Sequence, residues 1–369
     1  MNNKFNSKLN TFLLVLLFSS LCFSQNSPKN KYEIAIAYSH HIIDSLRIAQ
    51  KVPGIDMAVS IDGITVWAEG FGYADLEHQK PVEAGKTRFR IGSVSKPLTA
   101  AALGRLLDKD KIDLSAPVQT YVPYFPVKRH PITVKQIGGH IAGIRHYKGT
   151  EVYIKDRYNS VKSALTIFQD DSLLFVPGSK FSYSSYGFNL LSAVIEGASG
   201  ESFLPFIQRE VFDPLGMTST SPDKNDSIIV NRTSFYDLDP QKNIINAPYV
   251  DNSYKWAGGG FISTTTDLIK FAQAHLKPGF LSANTLKELT TSQVLSNRKN
   301  SNYGIGWFTF SNSGLQGFSH SGGSVGGITN LVVYPKENLI IVFLSNSSVA
   351  NYGLALDNIV KKFLEIKNK

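Results

Sequence analysis

Strand-forming segments occur near both ends of this 369-residue chain, whereas helical spacing and long loops dominate its middle. Runs of β-branched, aliphatic and aromatic residues indicate the strands. Segments this far apart must pair with each other to form one sheet, so we expect an α/β architecture of the α+β type. It would contain an antiparallel sheet from both chain ends, flanked by helices, with a helical lobe inserted over roughly residues 110–290. The predicted strands are Ile55–Ile61, Ile64–Ala68, a short strand at Thr87–Gly92, Ile305–Phe310, Gly327–Tyr334 and Leu339–Leu344.

Turns and helical spacing complete this prediction. Asp62-Gly63 is typical of a two-residue hairpin turn, and Pro335–Asn338 separates the last two strands. No internal repeat or linker divides the chain, so residues 25–369 are expected to form a single domain. The predicted helices are Tyr32–Gln50, Val161–Gln169, Gly187–Gly197, Phe203–Val211, Thr265–His275 and Tyr352–Ile366.

Residues 1–24 have the pattern of a secretory signal peptide. Lys4 and Lys8 precede a short apolar stretch, and the small residue Ser24 stands at its polar boundary. The stretch is shorter than the ~20 residues that a membrane-spanning helix needs. We therefore expect cleavage near Ser24, export to the periplasm or the extracellular space, and no stable membrane span.

Cysteine content and charge exclude several classes of function. Cys22 is the only cysteine, so cleavage would remove thiol catalysis, cysteine-bound metals and disulfides from the mature chain. The net charge of +9 includes Lys4 and Lys8, which leaves +7 after cleavage. No basic stripe is interleaved with aromatic residues, so we expect no nucleic-acid partner. An oligomer is compatible with the sequence, but nothing in it argues for one.

The segment Ser93–Lys96 combines a hydroxyl with an amine three residues away, at the start of a predicted helix. A serine hydroxyl is a weak nucleophile unless a base within hydrogen-bond reach takes its proton. Residues three apart share one helix face, so Lys96 would serve as that base when its amine is neutral. Pro97 is tolerated only in a first helical turn, so the helix begins close to Ser93. The local context alone supports a catalytic and a structural interpretation equally.

Two further Ser-x-x-Lys segments begin at Ser221 and Ser296. Both lie in polar runs that are typical of turns, without an apolar helix behind them. We interpret both as solvated loops and keep Ser93 as the candidate nucleophile.

Two other segments contain residues suited to proton transfer and close ligand approach. Tyr183 lies among small hydroxyl residues just before a predicted helix, and a phenol beside a lysine ammonium is favoured to ionise and relay a proton. His320 lies at the edge of a predicted strand in the most glycine-rich stretch, where a ligand can approach the backbone. Alone, Tyr183 is better explained by packing, whereas His320 is explained about equally well by packing and by function. Tyr186 is the alternative to Tyr183.

Together these segments resemble the motifs of the serine β-lactamase-like and penicillin-binding hydrolases: Ser-x-x-Lys, Tyr-x-Asn and Lys/His-x-Gly. Tyr183 and His320 are similar to the class C-related branch, which includes D-aminopeptidases, D-Ala carboxypeptidases and esterases. Gly143–Tyr147 is similar to a mitochondrial branch of the family. The resemblance covers nearly all of the mature chain and implies the β-lactamase/transpeptidase-like fold.

The resemblance also implies a role for each matching residue. Ser93 would be the nucleophile, Lys96 its base, Tyr183 a second acid/base and His320 an electrostatic and hydrogen-bonding group. The backbone N–H groups of Ser93 and Gly323 would form the oxyanion hole. The remaining substrate-binding positions would be Ser185, Ser321 and Gly322. No metal or organic cofactor is expected, because the histidines form no zinc-binding pattern.

Two departures from the family pattern bear on the substrate. Ser185 replaces the usual asparagine and offers a shorter side chain to a substrate amide. His320 replaces lysine, so the charge that would hold a substrate carboxylate becomes pH-dependent around a reference pKa of ~6.5. Both changes favour peptide or ester hydrolysis over efficient β-lactam hydrolysis.

The sequence thus predicts an exported serine hydrolase that forms an acyl-enzyme, with D-amino peptides, carboxypeptidase-type substrates or small esters as its substrates. Two alternatives stay open at this point. One is a β-lactam-hydrolysing enzyme, and the other is a sensor or scaffold that is acylated without turnover. The intact nucleophile, base and tyrosine favour turnover.

Overall fold

The computed structural model describes residues 31–312 and 314–369. The predicted signal peptide at 1–24 and Cys22 therefore lie outside the described residues. The helices are α1 (Glu33–Ala49), α2 (Ser95–Leu107), α3 (Val134–Gly138), α4 (Val161–Leu165), α5 (Ser185–Ser199), α6 (Phe203–Ile207), α7 (Trp256–Gly259), α8 (Thr265–Gln273), α9 (Ala283–Thr290) and α10 (Gly353–Lys367). The strands are β1 (Gly54–Ile61), β2 (Ile64–Asp75), β3 (Lys80–Pro81), β4 (Phe89–Arg90), β5 (Ser221–Pro222), β6 (Tyr236–Leu238), β7 (Ile244–Asn246), β8 (Phe261–Ser263), β9 (Phe308–Asn312), β10 (Leu315–Ser324), β11 (Gly327–Tyr334) and β12 (Leu339–Ser345).

The main sheet joins the two ends of the chain, as predicted. Its seven strands are antiparallel and lie in the order β3-β2-β1-β12-β11-β10-β9. The closing pair is β1 with β12, in a register that places Ile55 opposite Ser345 and Ile61 opposite Leu339. A three-stranded sheet, β4-β8-β5, and the β6-β7 hairpin complete the β-structure of the described residues.

The sheet is covered on both faces, so β12 is buried over its whole length. Alternate residues of a strand point to opposite faces. Val342 belongs to the core that faces the helical lobe, whereas Phe343 belongs to the core beneath α1 and α10. A strand buried on both faces has a continuous apolar run, and the sequence at Leu339–Leu344 has this pattern.

Helix α2 is the centre of the helical lobe. Eleven of its thirteen residues are buried, because α5, α7 and α9 pack around it. A helix that is surrounded by other elements needs small or apolar residues on every face, and the run Leu98–Leu103 meets that need. The N-terminal end of α2 follows a 3-10 turn, Gly92–Val94, that contacts β10.

Some predicted boundaries were wrong. Strand β9 begins at Phe308 and not at Ile305, because the chain bends at Gly306, whose φ is +79°. A Cβ added at Gly306 would lie 2.5 Å from the Cβ of Ala100, so the bend packs tightly against α2. Helix α5 begins two residues earlier than predicted, α4 ends at Leu165, and the predicted helix Phe203–Val211 divides into α6 and a π-helical turn, Gln208–Phe212.

Strand β10 was missing from the predicted strands. Glycine and serine weaken strand propensity, and the segment Gly317–Gly323 is rich in both. His320 therefore lies within a strand, paired with Leu331, and not at the edge of one.

No single helix in the described parts of the chain has the length and hydropathy of a membrane span. Ser185–Ser199 and Phe203–Phe212 reach these limits only as a pair, bent by 81°.

Candidate active site

Ser93 lies in the 3-10 turn before α2 and is half-buried. The turn is packed directly against β10. Gly92 has φ +48°, and a Cβ added there would lie 2.7 Å from the carbonyl oxygen of Gly323. A Cβ added at Gly322 would lie 3.0 Å from the backbone nitrogen of Ser93. Only glycines permit this approach, and they bring the first and third motifs together.

Lys96 is completely buried, and its Nζ contacts three oxygen atoms. They are Ser93 Oγ at 3.1 Å, Ser185 Oγ at 3.0 Å and the carbonyl oxygen of Gly258 at 2.6 Å. Burial lowers the pKa of Lys96 well below its usual 10.5, and the positive charge of Lys255 lowers it further. An amine in this environment is favoured in its neutral form.

The three contacts of Lys96 match the bonding capacity of a neutral amine, which has two N–H donors and one lone pair. The carbonyl oxygen of Gly258 can only accept a hydrogen bond, and Ser185 Oγ accepts the second. When the amine is neutral, its lone pair is left for the hydroxyl of Ser93, whose oxygen lies 3.1 Å away. This is the geometry that a general base needs to remove the serine proton.

Tyr183 lies beside the same lysine. Lys96 Nζ is 4.7 Å from the centroid of the Tyr183 ring. Burial raises the pKa of the Tyr183 phenol, and polar interactions with the side chains of Ser93 and Ser185 partly oppose that effect. The phenol is therefore protonated at neutral pH and is a proton donor beside Ser93. The prediction that a lysine ammonium would favour its ionised form was wrong, because the buried Lys96 is neutral and burial disfavours the phenolate.

Tyr186, the alternative candidate, lies away from this cluster. Its hydroxyl donates to Glu151 Oε2 at 2.8 Å, and its ring stacks on Phe168 with centroids 4.6 Å apart. Tyr186 is thus a core residue, and Tyr183 is the tyrosine next to Ser93.

Ser185, predicted to bind substrate, lies beside the base Lys96. It is 2% exposed, and its Oγ bonds Lys96 Nζ. The phenols of Tyr183 and Tyr147 also interact with this hydroxyl. The structure thus places the Ser185 hydroxyl at the base, and a substrate contact at Ser185 stays a prediction.

His320 does not supply the predicted pH-dependent charge. It is 1% exposed; its Nδ1 donates to the carbonyl oxygen of Ser321 at 2.6 Å, and its Nε2 accepts from the Tyr303 hydroxyl at 3.0 Å. Burial lowers its pKa to about 3. Both ring nitrogens are occupied, so His320 is a neutral group behind Tyr183, with ring centroids 6.1 Å apart. The prediction of a charge that titrates near pH 6.5 was wrong.

The rest of the third motif lies at the surface of the same site. Ser321 and Gly323 are exposed, and Gly322 is buried against the turn that holds Ser93. The backbone of Gly323 is thus close to that of Ser93, as an oxyanion hole of these two residues requires. Their role in binding an oxyanion stays a prediction.

Several residues at the site were assigned no role from the sequence. The Gly258 carbonyl, which bonds Lys96, belongs to a glycine run that the sequence does not link to Ser93. Lys255 is 3% exposed, and burial, followed by the charge of Arg90, lowers its pKa to about 7. His140 and His146 flank the second motif. The only indication of these residues in the sequence is that they cluster in two short segments, 140–147 and 255–260.

The two other Ser-x-x-Lys segments form no such site. Ser221 lies in β5, and Ser296 is exposed and donates its N–H to the carbonyl of Gly178. Among these three segments, which the structure describes in full, only Ser93 bonds the lysine of its own motif. Within residues 31–312 and 314–369, no group of three or more His, Cys, Asp or Glu side chains is placed to hold a metal ion.

This serine, lysine and tyrosine arrangement, at a turn between an antiparallel sheet and a buried helix, defines a serine hydrolase-like fold and site. The Beta-lactamase family model matches residues 40–362. The chain therefore belongs to the β-lactamase family, as its motifs indicated.

Individual relatives agree with this assignment. The mitochondrial serine beta-lactamase-like protein LACTB of Mus musculus is 32% identical, over 82% of this chain and 73% of the relative. Penicillin-binding protein 4* of Bacillus subtilis is 28% identical, over 77% and 66%. The octameric penicillin-binding protein homologue of Pyrococcus abyssi has a TM-score of 0.76 at 26% identity, over 87% and 77%.

The D-amino acid amidase of Ochrobactrum anthropi, in complex with D-phenylalanine, has a TM-score of 0.78 at 20% identity. The match covers 91% of this chain and 99% of the amidase. At this level of identity the match is evidence of a shared fold.

Proposed function

We propose that the protein is a serine hydrolase that forms an acyl-enzyme on Ser93 and cleaves amides or esters. The observation that carries this proposal is the contact of Ser93 Oγ with a fully buried Lys96 amine, at 3.1 Å. A nucleophile and a neutral base within hydrogen-bond reach are the minimum that covalent catalysis by serine requires.

The proposed reaction uses each group in turn. Lys96 takes the proton of Ser93 as Oγ attacks the carbonyl carbon, and the backbone N–H groups of Ser93 and Gly323 stabilise the oxyanion. The tetrahedral intermediate collapses, and the leaving amine or alcohol receives a proton from Lys96 or through Tyr183. Water then attacks the acyl-enzyme with its proton passing to the same groups, which releases the acid and restores Ser93.

The neutral state of His320 supports a proposal about the substrate class. Both of its ring nitrogens are occupied by protein partners, so it offers no charge to a substrate carboxylate. We therefore propose amidase or esterase activity on substrates whose leaving side is uncharged, in preference to carboxypeptidase activity. Penicillin-type β-lactams carry a carboxylate and are disfavoured on the same ground. The amidase neighbour bound to D-phenylalanine makes D-amino acid amides the first substrates to test.

A matched pair of substrates tests this proposal. A D-amino dipeptide amide and the same dipeptide with a free carboxylate, both assayed for cleavage of the internal peptide bond, differ in the C-terminal group that a charged residue 320 would bind. We expect hydrolysis of the amide, and of p-nitrophenyl esters, at a higher kcat/KM than the free acid and a chromogenic β-lactam. A preference for the free acid would contradict the substrate class, and full activity in Ser93→Ala would contradict the nucleophile.

The same assay separates the sensor alternative. A sensor would release one equivalent of p-nitrophenol in a burst and retain the acyl group on Ser93. A hydrolase would continue at a steady rate, with the adduct lost after the substrate is removed.

We also propose that the protein is exported and that residues 1–24 are removed, on the basis of the charged start and short apolar stretch of that segment. The N-terminal sequence of the protein recovered from cell envelope and medium tests this. A mature chain that begins near Gln25 is expected, and an intact Met1 in the cytoplasm would contradict it.

A further inference from the structure

Tyr183 and Ser185 both lie close to Lys96, at the point where the chain enters α5. Tyr183 precedes the helix, and Ser185 is its first residue. Ser184 caps α5, since its Oγ accepts from the N–H of Gly187 at 3.0 Å. The orientation of Tyr183 and Ser185 therefore depends on what holds the backbone just at this cap.

Two histidines hold that backbone through consecutive N–H groups. The N–H of Ser184 donates to His140 Nδ1 at 3.1 Å, and the N–H of Ser185 donates to His146 Nδ1, also at 3.1 Å. A ring nitrogen that accepts a hydrogen bond carries no proton, so each imidazole is neutral with its proton on Nε2. Burial lowers the pKa of His146 to about 4, so its Nδ1 stays a hydrogen-bond acceptor at neutral pH.

The same two rings border the Tyr183 side chain. The His140 ring lies 4.4 Å from the Tyr183 ring at a tilt of 45°, and the His146 ring lies 5.5 Å away, edge-on at 76°. One pair of side chains therefore contacts both the backbone and the phenol of the second motif.

His140 is almost completely buried and packs among several rings, so its replacement would disturb the core. His146 is half-buried at the surface of the site. Its hydrogen bond to Ser185 is the element of this arrangement that can be removed with least effect on the fold.

We propose that His146 is a positioning residue for the hydrolase reaction: its Nδ1 fixes the amide of Ser185, and thereby the Ser185 hydroxyl at Lys96 Nζ, while its ring borders Tyr183. The inference rests on the proposed function of Ser93 and Lys96. It assigns His146 no contact with the reacting atoms and no proton transfer.

The test compares two substitutions that differ in one property. Asn places its Oδ1 close to the position of His Nδ1 and retains the acceptor, whereas Leu fills similar space without one. We expect His146→Leu to lower kcat for a p-nitrophenyl ester about 10²-fold with little change in KM, because catalytic groups lose rate steeply with small displacements. His146→Asn should recover at least about a tenth of the wild-type kcat. If His146→Leu does not fold, His146→Ala takes its place.

A second readout does not depend on activity. Hydrogen exchange of the Ser185 amide should be slow in the wild type and in His146→Asn, and should accelerate in His146→Leu. If the wild type hydrolyses nothing, the proposed function fails, and the role of His146 in catalysis fails with it. The exchange readout then decides only whether the His146 hydrogen bond holds the Ser185 amide.

Three results would overturn the inference. The first is a His146→Leu enzyme with more than about a third of the wild-type kcat. The second is His146→Asn as inactive as His146→Leu, which would mean that the ring itself is required. The third is a Ser185 amide that remains protected in His146→Leu.

Discussion

Ser185→Ala tests whether the hydrogen bond to Ser185 keeps Lys96 oriented as the base. It removes one of the three oxygen partners of Lys96, the one at 3.0 Å, in a site where Lys96 is 0% exposed and no water can replace the lost contact easily. A buried donor left without a partner costs about 1–3 kcal/mol. If that cost falls on the neutral, correctly oriented lysine, kcat/KM decreases by about 5- to 150-fold, at about 1.4 kcal/mol for each factor of ten.

The assay is the rate at which a serine-directed phosphonate modifies Ser93, which isolates the first chemical step, together with kcat/KM for a p-nitrophenyl ester. Ser192→Ala is the matched control. Ser192 is also a buried serine of α5, but its Oγ donates to the Asn189 carbonyl at 2.6 Å and does not contact Lys96. A Ser185→Ala rate within about twofold of the wild type, or an equal loss in Ser192→Ala, would refute the reasoning.

Three further predictions concern buried titratable groups. Because His320 is already neutral, with a pKa lowered to about 3, the ratio of kcat/KM for a peptide amide and its free acid should stay constant between about pH 5 and pH 8; a change centred near ~6.5 would contradict this. Lys255→Met removes a positive charge that lowers the pKa of Lys96, so the acidic limb of the kcat/KM profile should move to higher pH, and an unmoved limb would contradict the coupling. Burial raises the pKa of Asp56 to about 7, so wild-type stability should fall as pH rises from about 4 to about 7, while Asp56→Asn lacks this loss. Urea titrations measure the free energy of unfolding of both proteins at each pH. Between about pH 4 and pH 7 the stability of Asp56→Asn relative to the wild type should rise by on the order of 4 kcal/mol, and a difference that does not depend on pH would contradict this.

The sequence was sufficient for features that depend on local spacing. Ser93 and Lys96 are three residues apart on a turn that leads into a helix, so their contact follows from helix geometry. The sheet was predictable because β12 is a continuous apolar run and β1 ends at an Asp-Gly turn.

The remaining features depend on tertiary packing that no local pattern encodes. Burial of His320 beside Tyr303 determines its charge, and the reference pKa of histidine contains no information about that burial. Strand β10 was missed because glycines have a low propensity for strands. In β10 they are needed for another reason, which is the close approach of the strand to the turn at Gly92. The contact of Ser185 with Lys96 was not predicted, because a residue type indicates the chemistry of a side chain and not its direction in the folded protein.

The central claim is that a neutral Lys96 activates Ser93, and phosphonate labelling followed by peptide mapping tests it most directly. Lys96→Met retains the length and burial of the side chain and removes the base. We expect a single adduct at Ser93 in the wild type, labelling slowed by at least about 10²-fold in Lys96→Met, and no adduct at Ser221 or Ser296. Equal labelling of Ser93 in the wild type and Lys96→Met, or an adduct at another serine, would contradict the claim.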